Sequence, residues 1–458
     1  MHVLTPPVPR GLPDNARPLN RMRQILRNPM AMYSPIYFQE PMVTARVSTK
    51  QFAQIMDPAL AQEVLQDQDT YGRSEYAQRF LRQALGEGLL TAEVEKWRPQ
   101  RRAASPAFRA QALNSLVPTF TTAGRGMADR LARGAGRTVD VAPETTHATF
   151  EVIARTLLHG GEAEAYEAEL FADDITLFMD TIGSLSLHDL FPIMGKLLPR
   201  ALFVPGYRKG KAAVKRLRSH AEDIVKTRLA ASNPDTDDLM GLLIEAQDPE
   251  TGGKLSPTEL VDNALTFVGA GHETTAVALS WTFYLIAHSR SLQDDLLAEL
   301  TDVAGDESVT ADHLSRLHLH EAVLKESMRL FPPVPIIPRS VKQRTQLGNL
   351  SLKPGDHVSI GIYPMHRHQT LWHDPDTFNP ARFMEGYESH RHKYQYLPFG
   401  GGPRVCIGMR FALMEGIAML AETLRKVRFS VPEEFIPEPH LAITMRPKGG
   451  MPLYVERR

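Results

Sequence analysis

One cysteine occurs among the 458 residues, within Phe399-Gly400-Gly401-Gly402-Pro403-Arg404-Val405-Cys406-Ile407-Gly408. Directly after it Phe411, Met414, Ile417 and Leu420 recur at helical spacing and make one apolar face. The thiol therefore lies at the mouth of a helix, where unpaired N–H groups and positive partial charge favour thiolate over thiol. Arg404 adds a full positive charge. A thiolate held in this way is either a nucleophile or a metal ligand. The plainer alternative is a small core hydrophobe, as most free cysteines are. Three consecutive glycines speak against it, because they let the backbone pass very close to something flat and bulky.

A second stretch with chemical content is Gly269-Ala270-Gly271-His272-Glu273-Thr274-Thr275. It lies in the middle of a helix opened by the capping box Ser256-Pro257-Thr258-Glu259 and expected to run to about His288. Two glycines and two threonines are poor choices for a helix interior, and each glycine costs about 1 kcal/mol relative to alanine. A kink for packing would explain them. So would a need for space at Gly271, a hydroxyl at Thr274 able to pass protons, and an acid at Glu273 able to supply them. His272 is two residues from Thr274 and so does not share its face.

Three further sets are weaker alone. Trp97 and Arg101 are four apart, on one helical face, where an indole N–H beside a guanidinium suits a carboxylate. Glu326 and Arg329 are three apart and can pair, as on any helix surface. Phe331-Pro332-Pro333-Val334-Pro335-Ile336-Ile337-Pro338-Arg339 is an extended segment stiffened by four prolines.

The decapeptide resembles the haem-binding loop of the cytochrome P450 superfamily, Phe-x-x-Gly-x-Arg-x-Cys-x-Gly, met at Phe399, Gly402, Arg404, Cys406 and Gly408. Ala270 to Thr275 resembles that family's Ala-Gly-x-(Asp/Glu)-Thr-Thr. Pro380-Ala381-Arg382-Phe383 resembles its Pro-x-Arg-Phe, with Ala381 where glutamate is commoner. The Glu-Thr-Thr variant and Trp97 are similar to the branch that includes fatty-acid hydroxylases. The resemblance implies a mainly α fold with small β-sheets, with haem b between the long central helix and the loop of its axial ligand Cys406. It further implies Trp97, Arg101 and Arg339 on haem propionates, with Ala270, Phe399, Arg404 and Gly408 around the cofactor. Glu273 and Thr274 would be catalytic; Glu326, Arg329 and Arg382 would form a buried structural network. Phe267, Val334, Ile336 and Ile337 would wall an apolar substrate pocket.

The implied reaction inserts one atom of O2 into a small hydrophobic substrate, using two electrons and two protons. No flavin or nicotinamide signature is present, so the electrons are expected from a separate ferredoxin or flavodoxin with its reductase. An acidic partner would be steered to Arg98, Arg102 and Arg410. A peroxide-driven enzyme or an isomerase would have no use for Glu273 and Thr274, and a haem sensor would bring a signalling module.

The elements that position these residues fit such a chain. Apolar residues make up 43%, enough for a large core, and 52 basic against 53 acidic residues give no attraction to nucleic acid. One cysteine excludes an internal disulfide and fits a reducing compartment. The Pro-rich arm 1–29 lacks the apolar run of a signal or anchor, and His272 and Glu273 interrupt the apolar stretch Ala264 to Ala287. The expectation is a soluble bacterial-type, cytoplasmic monomer, one domain over 1–458 without a fused reductase. Paired strands are expected at Met42–Val47 and Gln51–Ile55, then a helix from Pro58 to Gln66. Helices should fill 112–250, with loops at Gly134–Gly136, Ser232–Pro234 and Pro249–Gly253 and a solvated basic face at Arg208–Arg218. Strands are expected around Leu350–Leu352 and Val358–Ile362. A last hairpin should pair Leu441–Met445 with Leu453–Glu456, its tip reaching the substrate.

Overall fold

The computed structural model of the chain describes residues 3–6, 11–158, 174–178, 181, 204–230, 238–384 and 391–458. The loop expected at Ser232-Asn233-Pro234 lies outside the described residues. In chain order the helices are α1 Pro18–Arg27, α2 Pro58–Gln66, α3 Glu75–Leu85, α4 Val94–Ala104, α5 Ala110–Asn114, α6 Val117–Arg133 and α7 Val141–Ile153. There follow α8 Tyr207–Ala230, α9 Leu239–Glu245, α10 Pro257–Ala287, α11 Arg290–Ala304, α12 Ala311–Arg316, α13 His318–Leu330, α14 Ile362–Met365 and α15 Met409–Lys426.

Local signals place several of these correctly. Asp57 accepts the Leu60 N–H at 2.9 Å and Pro58 begins α2. At α10 the capping box is closed in both directions. The Ser256 N–H donates to Glu259 at 2.9 Å, and the Glu259 N–H donates to the Ser256 hydroxyl at 3.3 Å. The helix then runs unbroken for 31 residues, through Gly269 to Thr275. No helix among the described residues is long and apolar enough to cross a membrane.

The chain divides into two compact units. The first comprises Met1–Glu75, Phe120–Ala148 and Thr274–Arg458, the second Tyr76–Thr119 and Thr149–Glu273. Every named strand belongs to the first unit. Strands β1 Met42–Val47, β2 Lys50–Ile55, β3 Tyr71–Arg73, β5 Ile336–Val341 and β8 His357–Gly361 form one sheet in the order β1-β2-β8-β5-β3. The expected hairpin is there: β1 and β2 are antiparallel, with Val47 opposite Lys50, and Ser48 takes a positive φ in the turn. One face of this sheet buries Ile55, Val341, Val358 and Ile360 against Val64 and Leu65 of α2. The long helix is fixed at its far end by Trp281, whose ring stacks on Phe331 at 3.9 Å while its N–H donates to the Met445 carbonyl at 3.0 Å.

A second sheet joins β4 Arg137–Asp140, β12 Pro452–Arg457 and β9 Val427–Ser430 in the order β4-β12-β9. Two small hairpins pair β6 Thr345–Leu347 with β7 Leu350–Leu352, and β10 Pro439–Leu441 with β11 Met445–Pro447. This corrects the last expected hairpin. Leu441 and Met445 face each other across a turn of three residues, and Leu453 to Glu456 belong to β12 in the other sheet. The partners differ from those expected because Gly449 and Gly450 connect two sheets rather than close one.

The second unit has no named strand among its described residues. Asn263 of α10 ties its parts together: it donates to Gln100 of α4 at 2.9 Å and accepts the Leu89 N–H at 2.9 Å. Both Asn263 and Gln100 are buried, so each hydrogen bond replaces one to water that burial removed.

Candidate functional site

The cysteine loop folds back on itself, the Cys406 N–H donating to the Phe399 carbonyl at 3.0 Å and the Val405 N–H to that of Gly402 at 3.2 Å. Gly408 is the N-cap residue of α15, so Cys406 sits three residues before the helix begins at Met409, with its side chain exposed. Arg404 donates to Gln68 at 2.9 Å, and Phe399 is half-buried. The glycines also have close protein neighbours. Gly402 has φ +68°, and a Cβ there would lie 2.3 Å from the Leu65 carbonyl oxygen at the end of α2. A Cβ on Gly401 would meet the Tyr394 ring at 2.9 Å. The loop is pressed onto protein atoms, and glycine is what lets it lie there.

Behind the loop lies the charged cluster. Arg329 donates to Glu326 through Nε and Nη2 at 2.7 and 2.8 Å, and Arg382 lies 3.3 Å from the same carboxylate. The remaining Arg329 donors reach the carbonyls of His366, Pro375 and Thr377 at 2.7–2.8 Å, and the Asn379 N–H donates to Glu326 at 2.9 Å. Burial without such pairing would be prohibitive. Next to it the buried His366 accepts the Leu397 N–H at 2.8 Å. Burial, aided by the Arg329 charge, pushes this imidazole down to about 3, so it stays neutral and keeps an acceptor for the strand entering the cysteine loop.

On β5 the side chains alternate. Ile337 packs with the sheet core and lies against the glycine loop, 3.4 Å from where a Gly400 Cβ would be. Ile337, expected in a substrate wall, is half-buried and packs against the edge of the sheet core. Val334 and Ile336 are half-buried. Arg339 donates to the Pro338 carbonyl at 3.0 Å and has no carboxylate partner among the described residues. Desolvation lowers it to about 10.

The second unit carries the other expected residues. Trp97 is buried and Arg101 half-buried on α4, one turn apart. Phe267 is buried with its ring 5.2 Å from that of Phe108. Along α10 all residues from Leu260 to Val268 are buried, whereas Gly269, Ala270 and Gly271 are not, and Ala270 is fully exposed. One turn on, in the first unit, Thr274 is half-buried between buried neighbours. Glu273 is buried at 7% exposure. Gly271 also has a packing reason to lack a side chain: its Cβ would meet Ile153 at 2.9 Å. His272 is buried, bonded through Nδ1 to the Val268 carbonyl at 3.0 Å and edge-on to Phe150.

Arg102 departs from expectation. It makes a bidentate pair with the buried Asp248 at 2.7 and 2.8 Å and also meets Glu250 at 3.1 Å. The pair holds the Asp248 carboxyl well below the usual range. Arg98 and Arg410 are exposed.

The residues fit a haem. One exposed thiol is the natural iron ligand, and among the described residues no group of three His, Cys, Asp or Glu could cage a metal instead. Arg339 is a desolvated cation without an anion, which suits a propionate. Sequence reasoning missed one buried acid, Glu415 of α15, at 1% exposure. An acid inside the apolar stripe begun by Phe411 was the available signal.

The comparisons agree with this chemistry. The family model described as Cytochrome P450 matches residues 6–453. The chain is 32% identical over 397 residues to a cytokinin hydroxylase of Arabidopsis thaliana, covering 84% of this chain and 74% of that one. It is 29% identical over 424 residues to cytochrome P450 4B1 of Rattus norvegicus, covering 88% and 81%. The crystal structure of the cytochrome P450DA heme domain superposes with a TM-score of 0.79 at 24% identity, covering 96% of this chain and 92% of that one. The chain belongs to the cytochrome P450 family of haem-thiolate monooxygenases.

Proposed function

We propose that Cys406 is the axial ligand of haem b, and that the enzyme oxidises a small hydrophobic substrate with O2 and electrons from a separate ferredoxin or flavodoxin and its reductase. The observation that carries this reading is the lone exposed thiol, held by a glycine loop just before α15, in a chain matched by the family over residues 6–453. When bound, haem b supplies O2 activation and transfer of one oxygen atom. Trp97, Arg101 and Arg339 would hold its propionates, and Ala270, Phe399, Arg404 and Gly408 would line its site. Phe267, Val334 and Ile336 favour an apolar substrate and exclude water from it.

Thr274 carries a hydroxyl that can take and pass a proton, and the buried Glu273 is the acid next to it in sequence. Glu326, Arg329 and Arg382 hold the segment that leads into the cysteine loop. Arg98 and Arg410 offer exposed positive charge to an acidic electron donor, whereas Arg102 is neutralised by Asp248. A cytoplasmic monomer with one cytochrome P450 domain over 1–458 completes the proposal.

Turnover of a panel of fatty acids, terpenoids, steroids and small aromatics with surrogate redox proteins tests it. Oxygenated product that needs both NAD(P)H and O2 supports the reading. Product with peroxide alone, or no product beside full haem loading, overturns it.

A further inference from the structure

Among the buried polar atoms of the first unit that have no hydrogen-bond partner among the described residues are Oε1 and Oε2 of Glu415 and Oγ1 of Thr275. They are neighbours, since the Thr275 hydroxyl is the polar group that acts on the Glu415 carboxyl. The two residues are 1% and 4% exposed. Among the described residues burial and this hydroxyl act on the carboxyl, and no charged side chain does. An acid so buried, with no cation acting on it among the described residues, keeps its proton. Burial pushes it up to about 8.

An apolar side chain would fill this part of α15 at no such cost. Buried polar groups left without partners mark either internal water or a directed hydrogen bond, and the neutral acid with the facing hydroxyl provides for both. Their places in the chain give the arrangement its meaning. Glu415 stands nine residues after Cys406 on the helix that the cysteine loop opens. Thr275 directly follows Thr274 on α10.

We propose that the protonated Glu415 carboxyl, with Thr275 and buried water, is a positioning residue that fixes the Thr274–Thr275 turn of α10 against the cysteine-bearing helix. The role assigned here rests on the reading of Thr274 given above. Glu415 touches no reacting atom in this scheme. It works as a neutral donor and acceptor, a part that glutamine can play and leucine cannot.

Infrared spectra of the resting holoprotein at pH 6.5, unsubstituted against Glu415→Gln, test the first half. The carbonyl band of a protonated carboxylic acid should be lost in Glu415→Gln and shifted in Thr275→Val. The second half is read as the share of reducing equivalents released as peroxide. That share should rise roughly fivefold in Glu415→Leu and Thr275→Val, the loss of one hydrogen bond, and stay near the original in Glu415→Gln. Absence of the acid band, or a band that Thr275→Val leaves in place, overturns the proposal without any turnover being needed. A Glu415→Gln enzyme as leaky as Glu415→Leu overturns the positioning role. Failure of the unsubstituted enzyme to make product would instead count against the monooxygenase reading, and leaves the infrared test decisive.

Discussion

Arg329 and Glu326 share two hydrogen bonds of 2.7 and 2.8 Å with both side chains wholly buried. Removing either one strands the other charge in the interior, which costs about 3–5 kcal/mol. Glu326→Ala and Arg329→Ala are therefore expected to lose folded holoprotein rather than change its kinetics. Soluble yield and haem content per chain check this, and a fully loaded variant with altered turnover alone would contradict it.

Gly402→Ala should disturb the cysteine loop more than its size suggests. The residue has φ +68°, and the new Cβ would be 2.3 Å from the Leu65 carbonyl oxygen. Strain and clash together are expected to cost at least about 2 kcal/mol. Thermal unfolding measures the loss, and Gly136→Ala, with open space at φ +83°, serves as the strain-only control.

Arg339→Leu should have opposite effects on the empty and loaded protein. The desolvated guanidinium has no anion among the described residues, so its removal should stabilise the apoprotein by on the order of 1 kcal/mol. Loss of a propionate partner should weaken haem retention in the same variant. Melting temperatures with and without haem, and haem transfer to an acceptor protein, decide whether the signs differ.

Glu415 gives the stability a pH slope. Its folded value of about 8 lies above the ordinary carboxyl value of 4.5. Its stabilising contribution is thus complete below about 4.5 and declines as the pH rises to about 8. The decline is about 1.4 kcal/mol per pH unit, or about 2 kcal/mol between pH 6 and 7.5. Glu415→Gln should remove that slope. Denaturation at the two pH values, compared between the proteins, measures it; equal slopes would contradict a buried titrating acid.

Exposed charge should govern reduction by an acidic donor. Arg98→Glu and Arg410→Glu are expected to raise the apparent KM for ferredoxin several-fold and flatten its salt dependence. Arg102→Ala should lower stability instead, because Asp248 then loses its bidentate partner.

Much of this was legible in the sequence where the cause is local. The caps of α2 and α10, the β1–β2 turn and the cysteine loop each follow from residues a few positions apart. The Glu326–Arg329 spacing was readable too, although its burial was not, since the same pair occurs on any helix surface. What escaped depends on partners far along the chain. Gly271 faces Ile153, Arg102 finds Asp248 and Ile337 turns to the core, none of which spacing can reveal. Glu415 escaped for the same reason, its facing hydroxyl lying 140 residues away by position number, 415 against 275.

The carbon monoxide difference spectrum of the reduced protein, beside Cys406→Ala and Cys406→His, tests the central claim most directly. The account expects the red-shifted band of thiolate-ligated iron in the unsubstituted protein and its loss in both variants. A histidine-like band in the unsubstituted protein, or a red-shifted band that survives Cys406→Ala, would contradict it.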